Sequence, residues 1–339
     1  MMNSEARPFR TSDVTANPGE NSTRSDGNRR LAYGATLAVL FLLLTWPVIL
    51  SGSKGRDATG AAFDQIEYHY PIIQKMLADW PHPDLVNLGG ILMTPTFHVL
   101  MAAIAHSCHL DLTGIRVVAS LAGLLLMISV YWFTAKWVDP GAAFVLSISY
   151  LFSPFMLSGS IWLNTDNFGW LFVSLSLGWA ALYPADPRRV LGSGAAAAAA
   201  TAFRQIHLWL IAPIAVAGLL PLVPERFQVL ELPDRERSRH PGRLLASIFV
   251  AVVVPILIIL FFVSLWHGLT PPGTAKRYGT SNHFKIVPLA LAQAGYCCIF
   301  LLPMVLDRST LKARLRDWRV WTGATICLLL AALPRSADA

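Results

Sequence analysis

Four polar segments that separate long apolar stretches of the chain contain carboxylate, basic or histidine side chains. They are FDQIEYHYP (63–71), SGSIWLNTDN (158–167), FRQIHLW (203–209) and HGLTPPGTAKRYGTSNHFK (267–285). A carboxylate in such a segment can take a proton from a hydroxyl group. A guanidinium can hold an anionic group through two parallel hydrogen bonds. The residue types therefore predict proton transfer beside an anion-binding site, provided that the fold brings the segments together.

The apolar stretches between these segments have the length and composition of membrane-spanning helices. A bilayer core of about 30 Å needs about 20 helical residues. Hydropathy predicts spans at 31–50, 113–133, 141–158, 168–184, 190–203, 207–222, 243–265, 286–305 and 318–333. The two short spans at 190–203 and 207–222 predict a helical hairpin with Arg204 near the membrane face.

Segment 91–106 is apolar but short, and it contains Pro95 and His98. If it does not cross, most of the 27 Lys and Arg residues lie on the cytoplasmic side, as the positive-inside rule prefers. If it crosses, fewer of the Lys and Arg residues lie on the cytoplasmic side. A third arrangement, in which 91–106 crosses and 190–222 is one helix, keeps most cations inside but places Arg204 at mid-bilayer, which is costly. We therefore expect 91–106 to be an interfacial or re-entrant helix.

Composition agrees with a membrane protein, since 54% of the side chains are hydrophobic and only 14% are charged. It excludes a nucleic-acid module, a disulfide scaffold and a collagen. The predicted fold is an all-α polytopic membrane protein with about nine transmembrane helices and interfacial helices in its first extracytoplasmic loop. The predicted organisation is a disordered cytoplasmic tail at 1–30, then a transmembrane domain at 31–334, whose loop 51–112 is catalytic. All four polar segments then lie on the extracytoplasmic face.

Each polar residue also has a purely structural interpretation. Asp64 lies near the start of a predicted amphipathic helix (63–78), where a carboxylate favours the positive end of the helix dipole. Asp166 directly precedes an apolar helix and could be its N-cap. Arg204 could extend toward lipid headgroups. The functional hypothesis rests on the convergence of these residues on one face.

Two elements at the start of the chain resemble motifs of a known class. FDQIEYHYP (63–71) is similar to the Asp-Glu…His-x-Pro motif of the GT-C class, the polytopic glycosyltransferases that use polyprenyl-phosphate sugars. MTPTFHVL (93–100) resembles the Thr-Pro-Pro-x-Tyr element that begins the next helix in that class.

Three later elements resemble the dolichyl-phosphate-glucose-dependent alpha-1,2-glucosyltransferase family within the class. RQIHLW (204–209) is similar to Arg-Gln-Thr-Asn-x-x-Trp, NTD (164–166) to Tyr-Thr-Asp, and GTSNH (279–283) to Gly-Asp-Lys-Ser-Asn-His. All five elements occur in the family's order and cover 31–305. The chain departs from the family by having Gln65 at the second acidic position and by ending at 339, where members continue through further helices. We therefore expect a chain that is truncated relative to the family.

The resemblance implies an inverting hexosyltransferase with a polyprenyl-phosphate sugar donor, glucose above all, and a glycan or lipid-linked acceptor. The implied setting is a bacterial cell membrane, with membrane lipids and no nucleic acid as partners. Asp64 is the expected catalytic base, and Glu67 is its substitute. No cofactor is firmly implied, although a divalent cation (Mg or Mn) is an option for Asp166. The expected substrate-binding residues are His69, Tyr70, Asp166, Arg204, Gln205, His207, Lys276, Arg277, Asn282 and His283.

Two alternatives stay open at this point. A transporter or flippase of lipid-linked sugars would use the same face for binding only. It predicts inverted repeats and charged residues near mid-bilayer, and the sequence has no evident internal repeat. An inactive, truncated glycosyltransferase would keep the motifs and lack the activity.

Overall fold

The computed structural model describes residues 18–52, 60–88, 91–223 and 240–272, with residues 18–25 described by their backbone alone. The chain divides into two units, Met1–Arg277 and Tyr278–Ala339, and every described residue belongs to the first. The predicted spans 286–305 and 318–333 therefore lie outside the described residues.

The described residues form helices and loops, without strands. The helices in chain order are α1 (Pro18–Leu50), α2 (Ala61–Asp64), a π-helical turn (Gln65–His69), α3 (Tyr70–Ala78), α4 (Thr96–Cys108), α5 (Leu112–Thr134), α6 (Pro140–Leu151), α7 (Pro154–Ile161), α8 (Asp166–Leu182), α9 (Pro187–Phe203), a 3₁₀ helix (Gln205–Leu210), α10 (Ile211–Leu219), a 3₁₀ turn (Leu220–Leu222) and α11 (Pro241–Trp266).

Four of the described helical segments are long and apolar enough to cross a membrane. They are Asp26–Leu50, Leu112–Thr134, Gln205–Leu222 and Pro241–Trp266, and the bent pair α6–α7 is a fifth if it counts as one span. Large apolar side chains face outward along them, such as Phe249 with 68% of its surface exposed. The chain is therefore a helical, membrane-embedded protein, and the number of about nine spans stays a prediction.

Several helices begin at an aspartate that binds the free backbone N–H groups of the first turn. Asp111 accepts a hydrogen bond from the backbone N–H of Gly114 at 2.8 Å, at the start of α5. Asp139 and Asp186 do the same for α6 and α9, and each is followed by a proline. Proline fits the first helical position because its missing N–H has no partner there in any case. These local signals fix where the helices start.

Two predicted boundaries differ from the structure. α1 begins at Pro18, inside the segment 1–30 that the sequence predicts to be disordered. Extending an existing helix costs little once its apolar part has formed. The predicted span 141–158 is broken into α6 and α7, which are bent by 64°. Pro154 is the physical reason, because its ring disfavours helical geometry at the preceding residue, Ser153.

The helices pack around three buried apolar clusters. One joins α3, α4 and the start of α5 with Phe203 and Trp266, one joins α1, α5 and α6, and one joins α8, α9, α10 and α11. α4 has 13 residues, about 20 Å of helix, which is too short for a straight crossing. It packs on α3 and α5. The interfacial or re-entrant placement of 91–106 stays a prediction.

α9 and α11 approach each other closely at Gly194. A Cβ atom at this position would overlap with the Cα and Cβ atoms of Ala251 on α11. Small residues at such contacts let two helix backbones come near each other within a membrane. We expect Gly194→Ala to destabilise the protein by about 1–3 kcal/mol, since overpacking a tight contact forces the backbones apart. The measurement is the thermal unfolding midpoint in detergent, which should fall by about 5 °C.

Gly242→Ala is the matched control. It lies in the first turn of α11, and a Cβ atom there would meet nothing within 4 Å. Its midpoint should equal or exceed that of the wild type. Equal midpoints for the two variants would contradict the close packing of α9 on α11.

Candidate functional site

Arg204 lies at the break between α9 and the following 3₁₀ helix. Its backbone is extended, with φ −147° and ψ 115°, so α9 ends there and the chain turns. Its guanidinium forms an ion pair with Asp166, and both side chains are partly buried. The sequence predicts a break at Arg204, and the structure has one.

Asp166 is the first residue of α8 and follows a tight turn. The side-chain oxygen of Asn164 accepts a hydrogen bond from the backbone N–H of Asp166 at 2.8 Å. Thr165 is the N-cap residue, and its hydroxyl lies 3.1 Å from the sulfur of Met93. The Asp166 side chain is therefore an ion-pair partner of Arg204, and the N-cap role that it could have had belongs to the preceding residue.

The first polar segment (63–71) contacts the segment that contains Asp166 through one face of its helix. Gln65 and His69 lie at the two ends of the π-helical turn, and both are buried. π-Helical turns occur often at functional sites. The side-chain oxygen of Gln65 accepts a hydrogen bond from the backbone N–H of Leu163 at 3.1 Å. Gln65 therefore links the first polar segment to the segment that contains Asp166.

The segment before α4 is bound to the end of α9. The hydroxyl of Thr94 donates a hydrogen bond to the backbone carbonyl of Ala202. The side-chain amide of Gln205 donates another to the carbonyl of Leu92. These two bonds place the start of α4 directly beside Arg204. Gln205, predicted to bind substrate, thus makes a structural contact.

His207 is buried at the corner between the 3₁₀ helix and α8. A Cβ atom on Gly169 would lie 2.6 Å from its Nε2, so only glycine leaves room for this ring. The indole of Trp170 meets the imidazole edge-on, with 5.4 Å between the ring centroids. Neither ring nitrogen has a hydrogen-bond partner among the described residues.

His69 and Arg204 are electrostatically coupled. Burial first, and the positive charge of Arg204 second, lower the pKa of His69 from 6.5 to about 4. Burial also lowers the pKa of the Arg204 guanidinium. His69 is therefore neutral at physiological pH, and Arg204 is the local source of positive charge.

The two predicted catalytic carboxylates lie on the outer part of the first helical segment. Asp64 is half-buried, and this burial raises the pKa of its carboxyl above the ordinary value. Glu67 is exposed. Neither carboxylate makes a hydrogen bond or ion pair with the described residues. Asp64 shares a helical segment with His69, but no described contact joins it to the pair of Asp166 and Arg204.

Tyr70 lines a separate cavity of about 430 Å³ with Gln65, Asp111 and Arg116. Lys276, Arg277, Asn282 and His283 lie outside the described residues. Within the described ranges, no three His, Cys, Asp or Glu side chains are grouped so that they could hold a metal ion. The divalent cation stays a prediction.

Two residues of this region are absent from the predicted site. His98 is fully buried, and its Nε2 lies 2.9 Å from Nδ1 of His69. Arg116 is buried near the start of α5, where it donates a hydrogen bond to the carbonyl of Ile161 and stacks 4.5 Å from the ring centroid of Trp162. Both are polar residues within apolar stretches, which is the signal that could have identified them.

Comparisons with models of known protein families, with curated proteins and with solved structures found no match to this chain.

The coupling of His69 to Arg204 can be measured by NMR titration of isotope-labelled histidine. We expect His69 to titrate at about pH 4 in the wild type. In Arg204→Gln the midpoint should rise, because the cation that opposes protonation is gone, and it should stay below 6.5, because the ring is still buried. Arg188→Gln, an exposed site at the far end of α9, should leave the midpoint unchanged.

The same pKa shift has a consequence for stability. In the unfolded chain His69 is protonated below pH 6.5, whereas in the folded chain it is protonated only below about pH 4, because its pKa is lowered. Its contribution to stability is therefore complete above pH 6.5 and is lost as the pH falls toward about 4. In the NMR titration, a His69 midpoint near pH 6.5 in the wild type would contradict both the burial of His69 and the influence of Arg204.

Proposed function

We propose that the chain is an inverting membrane glycosyltransferase that moves a hexose, glucose above all, from a polyprenyl-phosphate carrier to a glycan or lipid-linked acceptor. The observation that carries the proposal is the ion pair of Arg204 with Asp166 at the break after α9, close to the buried imidazole of His69. The Arg204 guanidinium lies there next to apolar helices, and its charge helps to keep the His69 imidazole neutral.

Arg204 would hold the phosphate of the donor. A guanidinium has five N–H donors, and the ion pair with Asp166 leaves others for a ligand. Charge develops on the phosphate as its bond to the sugar breaks, and a fixed cation in a poorly solvated site stabilises that charge. The leaving group is the polyprenyl phosphate, a phosphate monoester. It is already a weak base, so its departure needs no general acid.

The carrier chain would lie in an apolar cavity beside the site. This cavity has a volume of about 500 Å³ and is lined by α5, α6, α8 and α10. Trp170 lines the cavity and also contacts His207, so the cavity begins next to the polar site. An apolar space that ends at polar groups suits a ligand with a lipid chain and a charged head.

Asp64 would be the catalytic base. Its raised pKa favours proton transfer, since a base works best when its pKa approaches the working pH. The acceptor oxygen forms a bond with the anomeric carbon while the bond from that carbon to the phosphate oxygen breaks. The hydroxyl proton passes to the Asp64 carboxylate, and the carrier leaves as the polyprenyl phosphate anion. One displacement inverts the anomeric centre.

A second candidate function is the transport of lipid-linked sugars across the membrane. One observation favours it: α6 and α7 form a helix pair broken at Ser153 and bent by 64°. Discontinuous helices are frequent at the substrate sites of transporters. Under this alternative the site binds the same ligand and no bond is broken.

Asp64→Asn tests the enzymatic proposal. We expect the rate of hexose transfer from a polyprenyl-phosphate hexose in reconstituted membranes to fall about 10²- to 10⁴-fold, the usual contribution of a general base. Asp79→Asn is the matched control, because Asp79 is exposed at the end of the same helical segment. It should keep the wild-type rate.

Full activity of Asp64→Asn would remove Asp64 from the role of base. If the wild type transfers no sugar but exchanges lipid-linked sugars between the leaflets of vesicles, transport is the correct function. If it does neither, both proposed functions fail, and the inactive, truncated glycosyltransferase stays the open alternative.

A further inference from the structure

His98 is a buried histidine that touches the site through one hydrogen bond. None of its surface is exposed, and it lies against the ring of Phe97 on α4. Its Nε2 is 2.9 Å from Nδ1 of His69, whose own exposure is 3%. One of these two nitrogens must carry a proton, and the other must accept it as a hydrogen bond.

Both imidazoles are neutral at physiological pH. Burial, together with the neighbouring charge of Arg204, lowers the pKa of His69 to about 4. Burial, and then the proximity of His69, lowers the pKa of His98 well below its ordinary value. Each ring therefore carries one N–H group, and the hydrogen bond decides where both protons are located.

The second nitrogen of His98 fixes the direction of the hydrogen bond. Nδ1 of His98 is sealed from solvent and has no hydrogen-bond partner among the described residues. A buried N–H group without a partner is rare and costly, whereas a buried lone pair without a partner is tolerated more often. Nε2 of His69 also has no partner among the described residues, but it is not one of the polar atoms sealed from solvent, so an N–H group there can reach water or a ligand. The proton of His98 is therefore on Nε2, which donates to Nδ1 of His69. The only proton of His69 is then on its Nε2.

We propose that His98 is a positioning residue that holds His69 in the tautomer protonated at Nε2. Nε2 of His69, which has no hydrogen-bond partner among the described residues, is then a neutral N–H donor near the charge of Arg204. It can donate to an anionic oxygen of the ligand, such as a phosphate oxygen, and it cannot take a proton from the acceptor. This inference rests on the proposed function and leaves the role of base to a carboxylate.

The first test observes the tautomer directly and requires no activity. The full chain is labelled with ¹⁵N-histidine and reconstituted in lipid nanodiscs at pH 7, and the His69 signals are assigned by their loss in His69→Gln. We expect a protonated, pyrrole-type Nε2 and an unprotonated, pyridine-type Nδ1. A protonated Nδ1 on His69 would overturn the proposal.

Two substitutions separate positioning from packing. His98→Phe keeps a ring in the apolar cluster but removes the donor, so the His69 signals should shift toward a mixture of tautomers. His98→Gln loses the ring, but its side-chain N–H₂ reaches about as far as Nε2 and should keep the wild-type pattern. A merely structural role of His98 predicts the opposite order, with Phe closer to the wild type than Gln.

Hexose transfer provides the functional measurement. We expect kcat to fall about 10- to 100-fold in His98→Phe, the size found for partners that orient metal-bound histidines in other proteins. His98→Gln should recover most of this loss, and KM for the acceptor should change little in either variant. Recovery by Phe and not by Gln would overturn the proposal. If the wild type transfers no sugar, the proposed function fails while the tautomer measurement still decides the role of His98.

Discussion

The ion pair between Arg204 and Asp166 is the interaction on which the arrangement of the site depends. Arg204 lies where two apolar helical segments meet, and a guanidinium in such surroundings is costly unless a carboxylate compensates it. Asp166 is suited to this role because the N-terminal end of α8 stabilises its negative charge. The pair therefore joins the start of α8 to the end of α9. The remaining polar contacts of the site are arranged around this junction.

Hydrogen bonds to backbone groups fix the other segments to the junction. Gln65 holds the first helical segment to Leu163, and Thr94 and Gln205 hold the start of α4 to the end of α9. Backbone groups that are not paired within helices must find such partners when they are buried. The same bonds that satisfy this requirement also bring His69 and His98 near Arg204. Stability and the geometry of the site thus depend on the same contacts.

Much of the fold follows from the sequence because apolar length and helix-start signals are local properties. Apolar periodicity locates α5 and α11, and the break at Arg204 follows from a charged residue between two short apolar stretches. The bend at Pro154 was missed because hydropathy ignores backbone geometry. The partner of His69 was missed because His98 is 29 residues away, and only tertiary packing brings them together. Likewise, the sequence locates Asp64 but does not show whether it contacts the ion pair.

The most direct test of the account is a double-mutant cycle on the central pair. Arg204→Gln, Asp166→Asn and the combined variant would be compared by their free energies of unfolding in one detergent. If the two side chains form an ion pair, the combined variant should cost less than the sum of the single variants, by at least about 0.5 kcal/mol. Additive costs would show that the two charges do not interact. The polar segments 63–71, 158–167 and 203–209 would then lack the junction that brings them together.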